Sequence, residues 1–123
     1  RISAEAGRAA ADCIAWAAGA ALQGEAAAVV TAPIHKEALS AAGVAHPGHT
    51  EYLQALAAEY LGVSTDQVPV RMMLSCPGLR TVLVSIHVAL RDALSAVTQA
   101  QILETLRIKI FRTEPLLIGF LQV

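Results

Sequence analysis

The stretch from Ala26 to Glu51 limits what this chain can fold into more than any other. An apolar run, Ala26-Ala27-Ala28-Val29-Val30, leads directly into Thr31-Ala32-Pro33-Ile34-His35-Lys36, and Pro47-Gly48-His49-Thr50-Glu51 follows soon after. The run reads as a short buried strand. Ala32-Pro33 stops it, because proline has no N–H to give to a ladder. A buried strand that opens into a polar loop is where open α/β sheets place their binding crevices. Three of the four histidines, His35, His46 and His49, lie here. The stretch reads as the edge of an active site of which this chain holds a part.

Around it the chain reads as scaffold. Ser3 is placed to cap a helix running to about Leu22, with Ala10, Ala11, Ile14 and Ala18 on one face and Arg8 and Asp12 on another. Gly24, Gly43 and Gly62 are placed to stop three helices: this one, a short one over Lys36–Ala42, and one from Tyr52 to Leu61. The third carries Leu53, Leu56, Ala57, Tyr60 and Leu61 as its apolar face, with Thr50 as N-cap. Ser64–Pro69 is a polar connection. Val70–Ser75 and Leu79–Ile86 read as strands joined through Cys76-Pro77-Gly78, an antiparallel hairpin, so the sheet is expected to be mixed. A helix is expected from about Asp92 to Thr105, with Leu94, Val97, Ala100, Ile102 and Leu103 apolar. Glu114-Pro115 breaks any further helix, and Leu116–Val123 reads as a buried strand.

At 123 residues the chain is one domain at most. Its charged fraction is 15%, against roughly 25% in ordinary soluble domains, and much of the apolar excess is alanine, which favours closely packed helices. A net charge of −1 gives no field for nucleic acid or an anionic membrane. No apolar run approaches the ~18–20 residues of a membrane span. Cys13 and Cys76 sit in apolar surroundings without metal-ligand spacing, which reads as buried free thiols in a reducing compartment. There is no basic leader followed by an apolar stretch, so a cytoplasmic location is the expectation. Arg1 stands where an initiator methionine would, which reads as the interior of a longer sequence.

His49 and Thr50 stand at a helix N-terminus, where outward-pointing N–H groups and the helix dipole favour a phosphate or carboxylate. The plain alternative is a capping threonine beside a solvated histidine. His87 ends an apolar strand just before Arg91-Asp92, a place from which a histidine can ligate a metal, or simply sit at a rim. No HxH, HExxH or CxxC spacing supports a metal locally. His35-Lys36 can bind an anion or stay solvated, and His46 reads as loop. Arg71 and Arg80 are like charges within one hairpin, so one or both should meet a carboxylate or ligand. GxGxxG and P-loop motifs are absent, and the cofactor-binding residues stay unknown.

Taken in order, Val30-Thr31-Ala32-Pro33-Ile34-His35-Lys36-Glu37-Ala38-Leu39, Ala42-Gly43, Pro47-Gly48-His49-Thr50-Glu51-Tyr52-Leu53, Arg71-Met72-Met73-Leu74 and His87…Leu90-Arg91-Asp92 resemble the 4-hydroxythreonine-4-phosphate dehydrogenase family of pyridoxal phosphate (vitamin B6) synthesis over roughly residues 1–118. The resemblance implies oxidation of a phosphorylated hydroxy-amino acid by NAD or NADP, followed by loss of carbon dioxide. It also implies a divalent metal (Zn, Mg, Mn or Co) that polarises the reacting hydroxyl. It assigns His49 and Thr50 to substrate and His87 to the metal, and assigns no catalytic residue. It implies a partial isocitrate/isopropylmalate dehydrogenase-like fold, a mixed sheet flanked by helices, from a homodimer with its active sites at the subunit interface. Residues 1–123 would be a single α/β fragment, the substrate- and metal-binding middle part of a longer two-lobed enzyme, with little activity alone. Two departures stand out. His87-Val88-Ala89-Leu90-Arg91 replaces the family's His-Leu-Pro-Leu-Arg, and His35 stands where many relatives have asparagine. The alternatives are a related dehydrogenase of threonate or erythronate 4-phosphate, and a non-catalytic phosphate-binding or dimerisation module.

Overall fold

A computed structural model describes residues 2–46, 48–86 and 88–111. The chain is α/β and divides into two compact units, residues 1–69 and 70–123.

The first unit is helical. Helix α1 (Ala4–Leu22) starts at Ser3, whose hydroxyl accepts from the Ala6 N–H at 3.4 Å, and Glu5 sits favourably in its first turn. It buries Gly7, Ala11, Ile14 and Ala18, a stripe at the three- and four-residue steps of one helix face. Helix α2 (Lys36–Ala41) buries Ala38 and Leu39 and packs against α1. The two backbones approach at Gly7, where a β-carbon would collide with the backbone carbonyl of Ala38. Nearby the Arg8 guanidinium donates to the Ala42 carbonyl at the end of α2, the partner it takes rather than Asp12. Helix α3 (His49–Leu61) completes the core with Leu53, Ala57 and Ala58. A 3-10 turn (Thr65–Gln67) follows, held by a capping box between Ser64 and Gln67. Gln54 donates from α3 to the carbonyls of Thr65 and Val68 at 2.8 and 2.9 Å, which brings Val68 into the core.

All three glycine stops hold. Gly24, Gly43 and Gly62 each follow their helix with positive φ. At Gly62 (φ +65°) the N–H turns back to the Glu59 carbonyl, a conformation side-chained residues adopt at a cost.

The second unit holds a hairpin, β1 (Met73–Cys76) and β2 (Leu79–Val82), paired antiparallel with Met73 opposite Val82 and Cys76 opposite Leu79. Helices α4 (Leu90–Ala96) and α5 (Gln99–Phe111) follow. Arg71 enters just before β1 and reaches α5. Its Nε donates to the Thr105 hydroxyl at 3.0 Å, and its Nη2 to Glu104 Oε2 at 2.8 Å and Gln101 Oε1 at 3.3 Å. The expected carboxylate partner of Arg71 is therefore Glu104. Arg80 sits opposite Ser75, so the two arginines are not cross-strand neighbours.

Several expectations are overturned. Ala26–Val30 is not a strand. An apolar run becomes a strand only beside a partner that completes its ladder, and the described residues supply none there; Val30 is 88% exposed. The sheet among the described residues is accordingly antiparallel, not mixed. The hairpin strands are also shorter than their apolar runs. The helix expected over Asp92–Thr105 is two helices, because Val97 leaves helical geometry (ψ 82°) and Thr98 begins α5, its hydroxyl accepting from the Gln101 N–H at 3.3 Å. Leu94, Val97, Ile102 and Leu103 are exposed, as are Tyr60 and Leu61 on α3. Cys13 and Cys76 are free but exposed: Cys13 lies off the buried stripe of α1, and Cys76 adjoins the hairpin turn. The strand expected over Leu116–Val123 and the break at Glu114-Pro115 lie outside the described residues.

Candidate functional site

The site is built at the start of α3. Gly48 is its N-cap, with extended backbone (φ −157°, ψ −179°) and no side chain to satisfy the first amides. Thr50 is therefore not the N-cap expected from the sequence; it is the second helical residue, half-buried. The N-cap falls two residues earlier than expected, because glycine adopts the extended cap conformation and its carbonyl accepts the first helical bond, from the Tyr52 N–H at 3.2 Å. The practical result is an N-terminal turn whose amides are not consumed by a capping side chain.

Glu51, in the first turn, folds back over this end: a β-carbon on Gly48 would stand 3.2 Å from Glu51 Oε2. Its carboxylate complements the positive end of the helix dipole. An incoming anion would have to share that position with it.

His49 points inward. Its Nε2 is shielded from solvent, and its ring donates to the backbone carbonyl of Ala32. Burial lowers its pKa below the ordinary value, and the Ala32 hydrogen bond offsets part of the shift. The imidazole is therefore neutral at pH 7. The bond joins the Thr31-Ala32-Pro33 segment to the Gly48-His49-Thr50 turn, two pieces that the sequence keeps apart.

Of the other sequence candidates, His35 and Lys36 are exposed at the start of α2, and the His35 side chain makes no capping bond there. His46 is half-buried and stacks on Tyr52, ring centroids 5.5 Å apart and planes at 20°; Tyr52 in turn reaches the Ala11 carbonyl on α1 at 3.5 Å. From the sequence His46 reads only as loop and Tyr52 only as a helix residue. The available signal was an aromatic pair flanking the Gly-His-Thr turn. His87, the expected metal ligand, lies outside the described residues. Among the described residues no group of three or more His, Cys, Asp or Glu side chains could hold a metal ion, and no helix is long and apolar enough to cross a membrane.

With this turn in place, comparison with known proteins becomes decisive: residues 1–114 match the family described as pyridoxal phosphate biosynthetic protein PdxA. The chain belongs to the PdxA family. Its similar PdxA relatives include a 4-hydroxythreonine-4-phosphate dehydrogenase from Beijerinckia indica, 52% identical over 94 residues that make up 76% of this chain and 26% of the relative. Another of the same name, from Roseobacter denitrificans, is 48% identical over 97 residues, 78% of this chain and 26% of the relative. The crystal structure of a 4-hydroxythreonine-4-phosphate dehydrogenase from Burkholderia phymatum matches with a TM-score of 0.69 and 37% identity, over 87% of this chain and 30% of that one. The chain thus spans about a quarter of the length of these curated PdxA relatives.

Proposed function

We propose that this chain is the phosphate-holding part of a dehydrogenase that oxidises 4-hydroxythreonine 4-phosphate (4-phosphooxy-threonine) on the route to pyridoxal phosphate. The whole enzyme would pass hydride to NAD or NADP, use a divalent metal, and lose carbon dioxide from the oxidised product. It would work in the cytoplasm as a homodimer of two-lobed, isocitrate/isopropylmalate dehydrogenase-like subunits, with residues 1–123 in the middle part of each. The observation that carries the proposal is the half-buried His49 ring, its Nε2 shielded from solvent, held by the Ala32 carbonyl at a helix start without a capping side chain. Membership of the PdxA family and the names of the relatives support the substrate.

The chain's own share of the chemistry is binding and orientation. The hydrogen bond to Ala32 fixes the plane of the His49 ring. The Thr50 hydroxyl and the first amides of α3 then offer donors to phosphate oxygens, aided by the helix dipole. A neutral His49 adds no positive charge, so the attraction rests on N–H and O–H donors. The described residues do not by themselves fit a divalent metal. His87 remains its proposed ligand.

Titration of the isotope-labelled chain with 4-hydroxythreonine 4-phosphate should shift the amide resonances of His49 to Tyr52. The shift should vanish in Thr50→Val and weaken in His49→Ala. Amides that stay still at saturating ligand would sink the proposal. Threonate and erythronate 4-phosphates in the same titration test the choice of substrate. In a dehydrogenase assay with Zn²⁺, Mg²⁺ or Mn²⁺, the 123 residues should show little or no oxidation. Robust turnover that disappears in His87→Ala would overturn the division of labour.

A further inference from the structure

His46 has no role in the chemistry above, yet it occupies a defined place. It precedes the Gly48-His49-Thr50 turn by two residues, and Tyr52 follows the turn by two. Their rings stack at 5.5 Å and 20°, within the range where offset aromatic pairs attract. Tyr52 is itself placed by the first turn of α3, through its N–H on the Gly48 carbonyl, and by its hydroxyl on the Ala11 carbonyl of α1. The loop that delivers His49 is thereby tied to a ring already held from two sides.

We propose that His46 is a positioning residue: its stack on Tyr52 closes the Gly48-His49-Thr50 turn from both ends and keeps the His49 ring against the Ala32 carbonyl. Without the stack the loop after Gly43 has one tether fewer. The turn then samples arrangements in which His49 swings away from Ala32 and the Thr50 donors no longer converge. The proposal rests on the assignment of His49 and Thr50 to a phosphate group. It uses the aromatic face of His46, not its charge, so another flat ring should serve.

The test compares His46→Ala and His46→Phe in the full 123-residue chain by nuclear magnetic resonance, with inorganic phosphate as the probe. In His46→Ala the His49 ring resonances should move, and hydrogen exchange at the Thr50 to Tyr52 amides should accelerate. Phosphate binding should weaken about two- to tenfold, the range an aromatic pair contributes. In His46→Phe all three readouts should stay near those of the parent. His49 resonances and exchange rates unchanged in His46→Ala would overturn the proposal, and so would a His46→Phe protein as perturbed as His46→Ala. If His46→Ala does not fold, His46→Phe still decides by the same readouts. A parent chain that binds no phosphate while its His49 resonances depend on His46 in this way overturns the phosphate assignment and supports the positioning role.

Discussion

Gly7 on α1 lies against the backbone carbonyl of Ala38 on α2, with no room between them for a β-carbon. Gly7→Ala should therefore force α2 away from α1 and disturb Leu39, the largest fully buried side chain among the described residues. A cost of about 3 kcal/mol is expected, the upper part of the usual range for overpacking. Gly19, on the same helix, is the control. An added β-carbon there meets only Gln23 Nε2 at 3.8 Å, so Gly19→Ala should stabilise by about 0.5–1 kcal/mol through helix propensity. Urea denaturation followed by circular dichroism separates the two.

His49 should make stability depend on pH. Its folded pKa lies below its ordinary value of 6.5, so the unfolded chain takes up the proton first as pH falls. Its contribution is fully present above about pH 6.5 and is lost as pH falls through the lowered folded value. The urea midpoint should drop between pH 7.5 and pH 5, and His49→Gln should flatten that drop. An equal drop in His49→Gln would show that burial of this ring is not the cause.

Glu51 would compete with the proposed anionic ligand for one helix end. Glu51→Gln removes the carboxylate that lies over Gly48 while keeping its shape, so phosphate should bind several-fold more tightly, with the gain shrinking at high salt. The helix should lose about 0.3–1 kcal/mol of dipole stabilisation. Phosphate titration at two ionic strengths measures the first effect and thermal unfolding the second.

In the second unit, Arg71 joins the residues before the hairpin to three side chains of α5. Thr105 is buried and accepts from its Nε, whereas Glu104 is 43% exposed and its ion pair is screened by solvent. Most of the loss in Arg71→Ala should therefore come from the Thr105 contact and from packing, about 1–3 kcal/mol. Arg71→Lys should recover little, because an ammonium lacks the guanidinium's planar fork of donors. Amide exchange along α5 reports both.

Helix ends and the hairpin turn were legible in the sequence because each depends on a few adjacent residues. Ser3, Gly24, Gly43, Gly62 and Pro77-Gly78 act locally, and the chain obeys them. Ala26–Val30 failed because a strand is a pairwise object and its apolar letters say nothing about a neighbour. The helix expected through Val97 and Thr98 failed for the opposite reason: apolar spacing runs on across a boundary that the Thr98 hydroxyl sets. At the site, His49 and Thr50 were visible as a helix-start motif. The Ala32 contact and the His46–Tyr52 stack depend on how the loops return in space, and spacing along the chain does not encode that.

The alanine stripe of the first unit carries a thermodynamic signature. Its buried apolar residues are Ala11, Ala18, Ala38, Ala57 and Ala58, with Ile14, Leu39, Leu53 and Val68 the only larger ones among the described residues. Unfolding such an interior hydrates little hydrocarbon, and the heat-capacity increment follows apolar area. Calorimetry of this unit should give an increment below the usual ~12–15 cal/mol/K per residue. Its stability would then vary gently with temperature, a broad shallow dome that chilling erodes little.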